Sequence, residues 1–149
     1  MSKRRVLITF FGIAILLSGY LANFIRGKYV VPIIMYHSVN PGALPEDRLA
    51  ISPVTFERQM HFLKSHHYNV LSLESLATLI KERRKIPSKT ISITFDDGYK
   101  NNYIYVFPIL KKYNLPATIF IITDEVGRAD RVSWDEIKEM QDSGIITFG

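Results

Sequence analysis

Thr90-Ile91-Ser92-Ile93-Thr94-Phe95-Asp96-Asp97-Gly98-Tyr99 is the stretch that decides how this chain is read. Its β-branched, apolar first half predicts a strand, and the strand ends abruptly in two adjacent carboxylates and a glycine. Two neighbouring Asp side chains repel, so setting both at a strand end costs stability unless a cation or a proton offsets the charge. Strand ends are also where α/β folds carry their chemistry. Asp96 and Asp97 are therefore candidate functional residues. The plain alternative is a polar Asp-Asp-Gly turn leaving a strand.

Outward from this strand, helices and strands alternate. Upstream, residues 31–36 read as a buried strand running into His37-Ser38-Val39-Asn40, and Pro41 to Asp47 read as a loop. Ser52-Pro53 predicts a helix start, with Ser as cap and Pro at the first position. Phe56, Met60 and Leu63 follow at helical spacing, and the helix should stop near His66-His67-Tyr68. Asn69 to Leu73 predicts a short strand. A second helix should turn Leu76, Ala77, Leu79 and Ile80 inward and end in Lys81-Glu82-Arg83-Arg84-Lys85, a basic run that suits a helix C-terminus.

Downstream, a helix from about Asn101 to Tyr113 should bury Tyr103, Val106, Phe107 and Leu110, with Pro108 kinking it or confining its regular part. Ala117 to Thr123 reads as an apolar strand. Ser133-Trp134-Asp135-Glu136 is a capping box opening a helix through Met140, stopped by Gly144, and Ile145 to Phe148 begins another strand. The order β-α-β-α-β-α-β-α-β predicts a parallel sheet or barrel wrapped by helices. Five strands do not close an eight-stranded barrel, so the sequence is expected to be the front part of something longer.

Composition narrows the classes. A length of 149 residues suits one domain, and the lack of cysteine excludes disulfides and thiolate metal sites. The formal charge of +5 is local: Lys3, Arg4, Arg5, Arg26 and Lys28 supply it, and the rest of the chain has as many acids as bases. A basic nucleic-acid surface is therefore unsupported. Between Arg5 and Arg26 lie 20 uncharged residues, Val6 to Ile25, enough for a helix across the roughly 30 Å hydrocarbon core of a bilayer. A cleaved signal peptide is the alternative. An uncleaved anchor is expected, with the N-terminus cytoplasmic and the rest outside. The expected division is a transmembrane anchor over 1–28 and a domain over 29–149.

The central motif, Thr94-Phe95-Asp96-Asp97-Gly98-Tyr99, resembles the first motif of the polysaccharide deacetylases, the NodB-homology carbohydrate esterases. Four further stretches agree in order and spacing: Pro32 to Val39, Phe56 to Leu63, Leu115 to Phe120 and Ser133 to Met140. The resemblance covers roughly residues 31–149. It implies an incomplete, distorted (β/α) barrel of the NodB-homology type that removes N-acetyl, in some members O-acetyl, groups from cell-wall or exopolysaccharide glycans. It implies one divalent metal ion, zinc in many members, with Asp97 as a ligand and Asp96 as the base that deprotonates the attacking water.

The family's two His ligands stand in a His-[Ser/Thr]-x-x-x-His motif that follows a strand ending like Ile146-Thr147-Phe148-Gly149, and these 149 residues do not include it. His61, His66 and His67 are expected to face away from the barrel mouth. His37 lies at a strand tip on the side of Asp96 and Asp97, where it is either a structural histidine or, with Tyr99, a pocket residue. Weak metal affinity is expected for this chain alone. Two other readings stay open: a membrane-anchored, non-catalytic glycan-binding domain, and one half of a split enzyme.

Overall fold

The computed structural model describes residues 3–26 and 30–149, with backbone alone over 3–9 and 22–26. The chain forms two units, residues 1–30 and 31–149.

The first unit contains helix α1, Lys3–Arg26, of 24 residues, which at 1.5 Å per residue is ~36 Å long. The side chains described here, 10–21, are all exposed, including Phe10, Phe11, Leu16 and Leu17. Among the described residues no helix is long and apolar enough to cross a membrane. The remainder of the expected span, at residues 6–9 and 22–25, lies outside the residues whose side chains are described.

The second unit is a five-stranded parallel sheet with helices packed on it. Its strands are β1 (Ile33–Tyr36), β4 (Asn69–Val70), β5 (Thr90–Phe95), β6 (Ala117–Ile119) and β7 (Ile146–Phe148). The helices α2 (Pro53–Ser65), α3 (Leu73–Lys81), α4 (Phe107–Tyr113) and α5 (Trp134–Asp142) alternate with them as expected. β5 is the middle strand. β1 runs along one side of it, while β4 pairs with its first half and β6 with its second.

All six residues of β5 are buried, which is why its sequence reads as a continuous run. Ile91, Ile93 and Phe95 join the hydrophobic core. Thr90, Ser92 and Thr94 point to the other face. Thr118 of β6 and Thr147 of β7 extend this polar face, with their hydroxyls 2.8 Å apart, and Thr118 also accepts from the backbone N–H of Leu73.

The caps formed as read. Ser52 accepts from Thr55 N–H with Pro53 in the first turn, and Ser133 and Glu136 make the reciprocal capping box.

Other expectations are corrected. Residues 31–36 do not form a buried strand: β1 begins at Ile33 and alternates exposed with half-buried, because it lies at the edge of the sheet. His37 separates it from a two-residue strand β2 (Ser38–Val39), paired with β3 (Ala50–Ile51) in a separate small sheet. Only Leu76 of the four inward candidates on α3 is buried, and Ile80 is exposed. The helix around Pro108 is two segments, a π-helix over Asn102–Val106 and then α4. Pro108 sits in the first turn of α4, where its missing N–H is harmless.

Candidate active site

The sheet brings His37 and Asp96 together at the C-terminal ends of β1 and β5. Their register, Tyr36 opposite Phe95, sets the next residue of each strand side by side. The backbone N–H of Asp96 donates to Tyr36 O at 3.0 Å, extending the ladder by one rung. His37 Nε2 then lies 3.8 Å from Asp96 Oδ2, with both side chains partly open to solvent.

An aromatic cluster lies beneath this pair. The Tyr36 and Phe95 rings stack at 5.3 Å, and Phe56 of α2 meets both edge-on. Tyr36 donates to Gln59 Oε1 at 2.7 Å, and burial pushes its phenol up to about 12. Tyr36 and Phe95 immediately precede the candidates His37 and Asp96, so packing of their rings with Phe56 holds the two strand tips.

After Asp96 the chain turns sharply. Asp97 (φ +68) and Gly98 (φ +59) are both left-handed. Asp is among the few residues besides glycine that tolerate this region, whereas Gly98 is required. A Cβ there would lie 2.9 Å from Ile121 Cγ2.

The turn is tied to the loop before α5. Val132 N–H donates to Gly98 O, and Lys100 N–H donates to Asp130 O. The Arg131 guanidinium covers one face of Tyr99 at 4.2 Å and is held by Glu125 and Asp130 at 2.8 and 2.6 Å. Lys100 pairs with Glu136 at 2.6 Å. Burial alone would raise the Glu136 carboxyl, but Lys100 and the Ser133 N–H outweigh it and hold the group below its ordinary value.

His61, His66 and His67 are engaged elsewhere. His61 packs edge-on against Tyr113, His66 stacks on Phe62, and His67 takes a left-handed φ where α2 ends. Among the described residues no three His, Cys, Asp or Glu side chains are grouped so as to hold a metal ion. Asp96, Asp97 and His37 thus do not by themselves make a metal site.

The sequence reading missed the Arg131–Tyr99 contact and the Tyr36–Phe56–Phe95 cluster, because those partners are distant in sequence, and with them Glu125, which holds Arg131. It also missed Asn101, although an Asn pair one residue beyond the Asp-Asp-Gly-Tyr turn is a local signal for side-chain bonding to backbone.

In parallel α/β domains ligands bind at the C-terminal edge of the sheet, and the paired carboxylates at the end of the middle strand stand at that edge. Comparison with known proteins gives the family. Residues 83–149 match the family model for polysaccharide deacetylase. The Bacillus subtilis (strain 168) protein YxkH is 36% identical over 115 residues, which is 77% of this chain and 40% of YxkH. The poly-beta-1,6-N-acetyl-D-glucosamine N-deacetylase of Staphylococcus aureus (strain MSSA476) is 39% identical over 104 residues, 66% of this chain and 36% of that enzyme. The solved structure of Streptococcus pyogenes deacetylase PplD in complex with acetate superposes with a TM-score of 0.71 at 31% identity, covering 79% of this chain and 54% of PplD. The chain belongs to the polysaccharide deacetylase family. It spans 36–40% of the length of these two curated relatives.

Proposed function

We propose that residues 29–149 are the N-terminal part of a metal-dependent deacetylase domain acting on N-acetyl, or O-acetyl, groups of a cell-wall or exopolysaccharide glycan. The observation that carries this reading is the placement of Asp96 and Asp97 at the end of the buried middle strand, with His37 3.8 Å from Asp96. The S. aureus relative, a poly-beta-1,6-N-acetyl-D-glucosamine N-deacetylase by its name, favours an amide over an ester as the substrate.

In this reading Asp96 is the general base. It takes a proton from a water whose oxygen attacks the acetyl carbonyl carbon, and that proton passes to the amide nitrogen as the C–N bond breaks, leaving acetic acid, which ionises to acetate, and a free amine. His37 and Tyr99 line the pocket at the strand tips. Asp97 is one ligand of a divalent ion, zinc in this proposal. The chain holds that ion weakly, because the described residues lack a three-ligand group. The other ligands belong to the part of the relatives' length that these 149 residues do not span.

Residues 6–25 are proposed as a single-pass anchor with the domain outside the cell membrane, or as a signal segment removed on secretion. N-terminal sequencing of the exported protein separates the two. No nucleic-acid partner is proposed.

The lack of a three-ligand group favours a second reading, in which the chain alone binds glycan without turning it over, or works with a partner chain. The test is acetate release from poly-N-acetylglucosamine by two proteins. One is the 149-residue chain; the other is a chimera in which residues 31–149 replace the matching part of the S. aureus enzyme. An active chimera that loses 10²- to 10⁴-fold with Asp96→Asn supports the first reading, that range being typical for a general base. A folded but inactive chimera sinks it, and metal-stimulated turnover by the 149-residue chain removes the second.

A further inference from the structure

His37 belongs to neither neighbouring strand: β1 ends at Tyr36 and β2 begins at Ser38. Its position therefore depends on how its two flanks are held. The upstream flank is fixed by the Asp96 N–H donating to Tyr36 O at 3.0 Å and by the Tyr36–Phe95 stack. The downstream flank is tied to the segment after Asp96 by one side chain. Asn101 Nδ2 donates to Ser38 Oγ at 2.7 Å, and Asn101 Oδ1 accepts from the backbone N–H of Val39 at 3.4 Å.

Both halves of the amide are thus spent on the two residues that follow His37. Val39 is fully buried, so the amide bonds to a segment that packing also holds. Backbone bonds from Ser38 N–H to Leu49 O and from Asn40 N–H to Ile51 O tie that segment to β3, but they do not reach the strand that carries Asp96. Asn101 does. It stands five residues after Asp96, at the foot of the π-helix, on the segment that leaves the Asp97–Gly98 turn.

We propose that Asn101 is a positioning residue for the His37–Asp96 pair, closing a loop of contacts from Asp96 through its own downstream segment to the far flank of His37. The proposal rests on the reading of Asp96 as the base only for its kinetic arm. Its structural arm stands on these hydrogen bonds. With the amide removed, the downstream flank of His37 keeps its pairing with β3 but loses its tie to the segment that follows Asp96, and the His37 ring gains freedom relative to Asp96. Asp at position 101 retains an acceptor for the Val39 N–H, and the Ser38 hydroxyl can turn to donate to it, so Asn101→Asp should restore much of what Asn101→Ala loses.

The first experiment is NMR of the full 149-residue chain in detergent micelles, with isotope-labelled histidine and the His37 signals assigned by His37→Gln. In Asn101→Ala the His37 ring signals should shift and broaden while those of His61, His66 and His67 stay in place. Ser38→Ala should give a smaller change of the same kind, and Asn101→Asp should return the signals towards the original. A role limited to general stability would lower the melting midpoint and move all four histidines or none. If Asn101→Ala does not fold, Ser38→Ala and Asn101→Asp carry the same comparison. His37 signals unmoved in a folded Asn101→Ala or Ser38→Ala protein would overturn the proposal.

In the active chimera, Asn101→Ala should lower kcat tenfold or more with KM changed less than twofold; equal losses in a His37→Gln background, where there is no pair left to position, would count against it. A chimera inactive before any of these changes defeats the deacetylase reading, and the NMR result still decides the positioning role.

Discussion

β5 and β1 are adjacent in one sheet and paired residue for residue from Ile33–Ser92 to Tyr36–Phe95, yet they differ in almost everything else. β5 has neighbours on both sides and is buried throughout. It ends in a turn with two successive left-handed residues. β1 has one strand neighbour, leaves Ile33 and Met35 exposed, and has an outer edge without a partner among the described residues. An open edge of this kind is a template for pairing with another chain. A backbone confined on every side can hold strained dihedrals and two like charges, because neighbouring structure over-determines it. In the proposed reading the chemistry stands on the confined strand, and the edge strand contributes through His37 at its tip.

The contrast can be broken by substitution. The largest change in stability is expected at the centre: Phe95→Ala removes a ring from the three-membered cluster and should cost about 3–5 kcal/mol, read as the loss in a denaturant melt. A cost below about 1 kcal/mol would show that the cluster does not fix the strand tip. Gly98→Ala should cost of order 1–3 kcal/mol, since it forces a Cβ into a left-handed residue 2.9 Å from Ile121 Cγ2. A melt like the parent's would mean that the turn relaxes at no cost.

Ser133→Ala should lose about 1 kcal/mol through the cap of α5, at the loop that braces the turn. The neighbouring Glu136 adds a pH signature. Its folded carboxyl lies below its ordinary value of 4.5. Its contribution is therefore fully present above that value and fades as pH falls through the depressed folded one. Glu136→Gln should flatten the acid limb of the stability profile and leave its slope near neutral pH unchanged. An unchanged acid limb would remove Glu136 from the account.

The smallest effect on stability belongs to the edge. Met35→Lys should change it by no more than about 0.5 kcal/mol, as expected for an exposed site, while lowering self-association in light scattering. Unaltered association would show that the edge is not the sticky surface.

Much of this was legible in the sequence. The buried run before Asp96-Asp97 gave the middle strand, Ser52-Pro53 and Ser133–Glu136 gave two helix starts, and the motif order pointed to the deacetylase family. Those signals are local: a cap, a β-branched run or a turn is decided by residues within a few positions of one another. The burial of 31–36 was misread because apolar composition does not say whether a strand has one neighbour or two. The inward faces of α3 were over-counted for the same reason.

The sequence by itself therefore determined the order of elements, the two aspartates at a strand end and the family to which the chain belongs. Only the tertiary structure decided that His37 meets Asp96, that Tyr36, Phe56 and Phe95 pack beneath them, that Arg131 covers Tyr99, and that Asn101 reaches back to Ser38 and Val39. The physical reason is sequence distance. Those partners stand tens of residues apart, and parallel register with side-chain packing, rather than local propensity, fixes which of them touch.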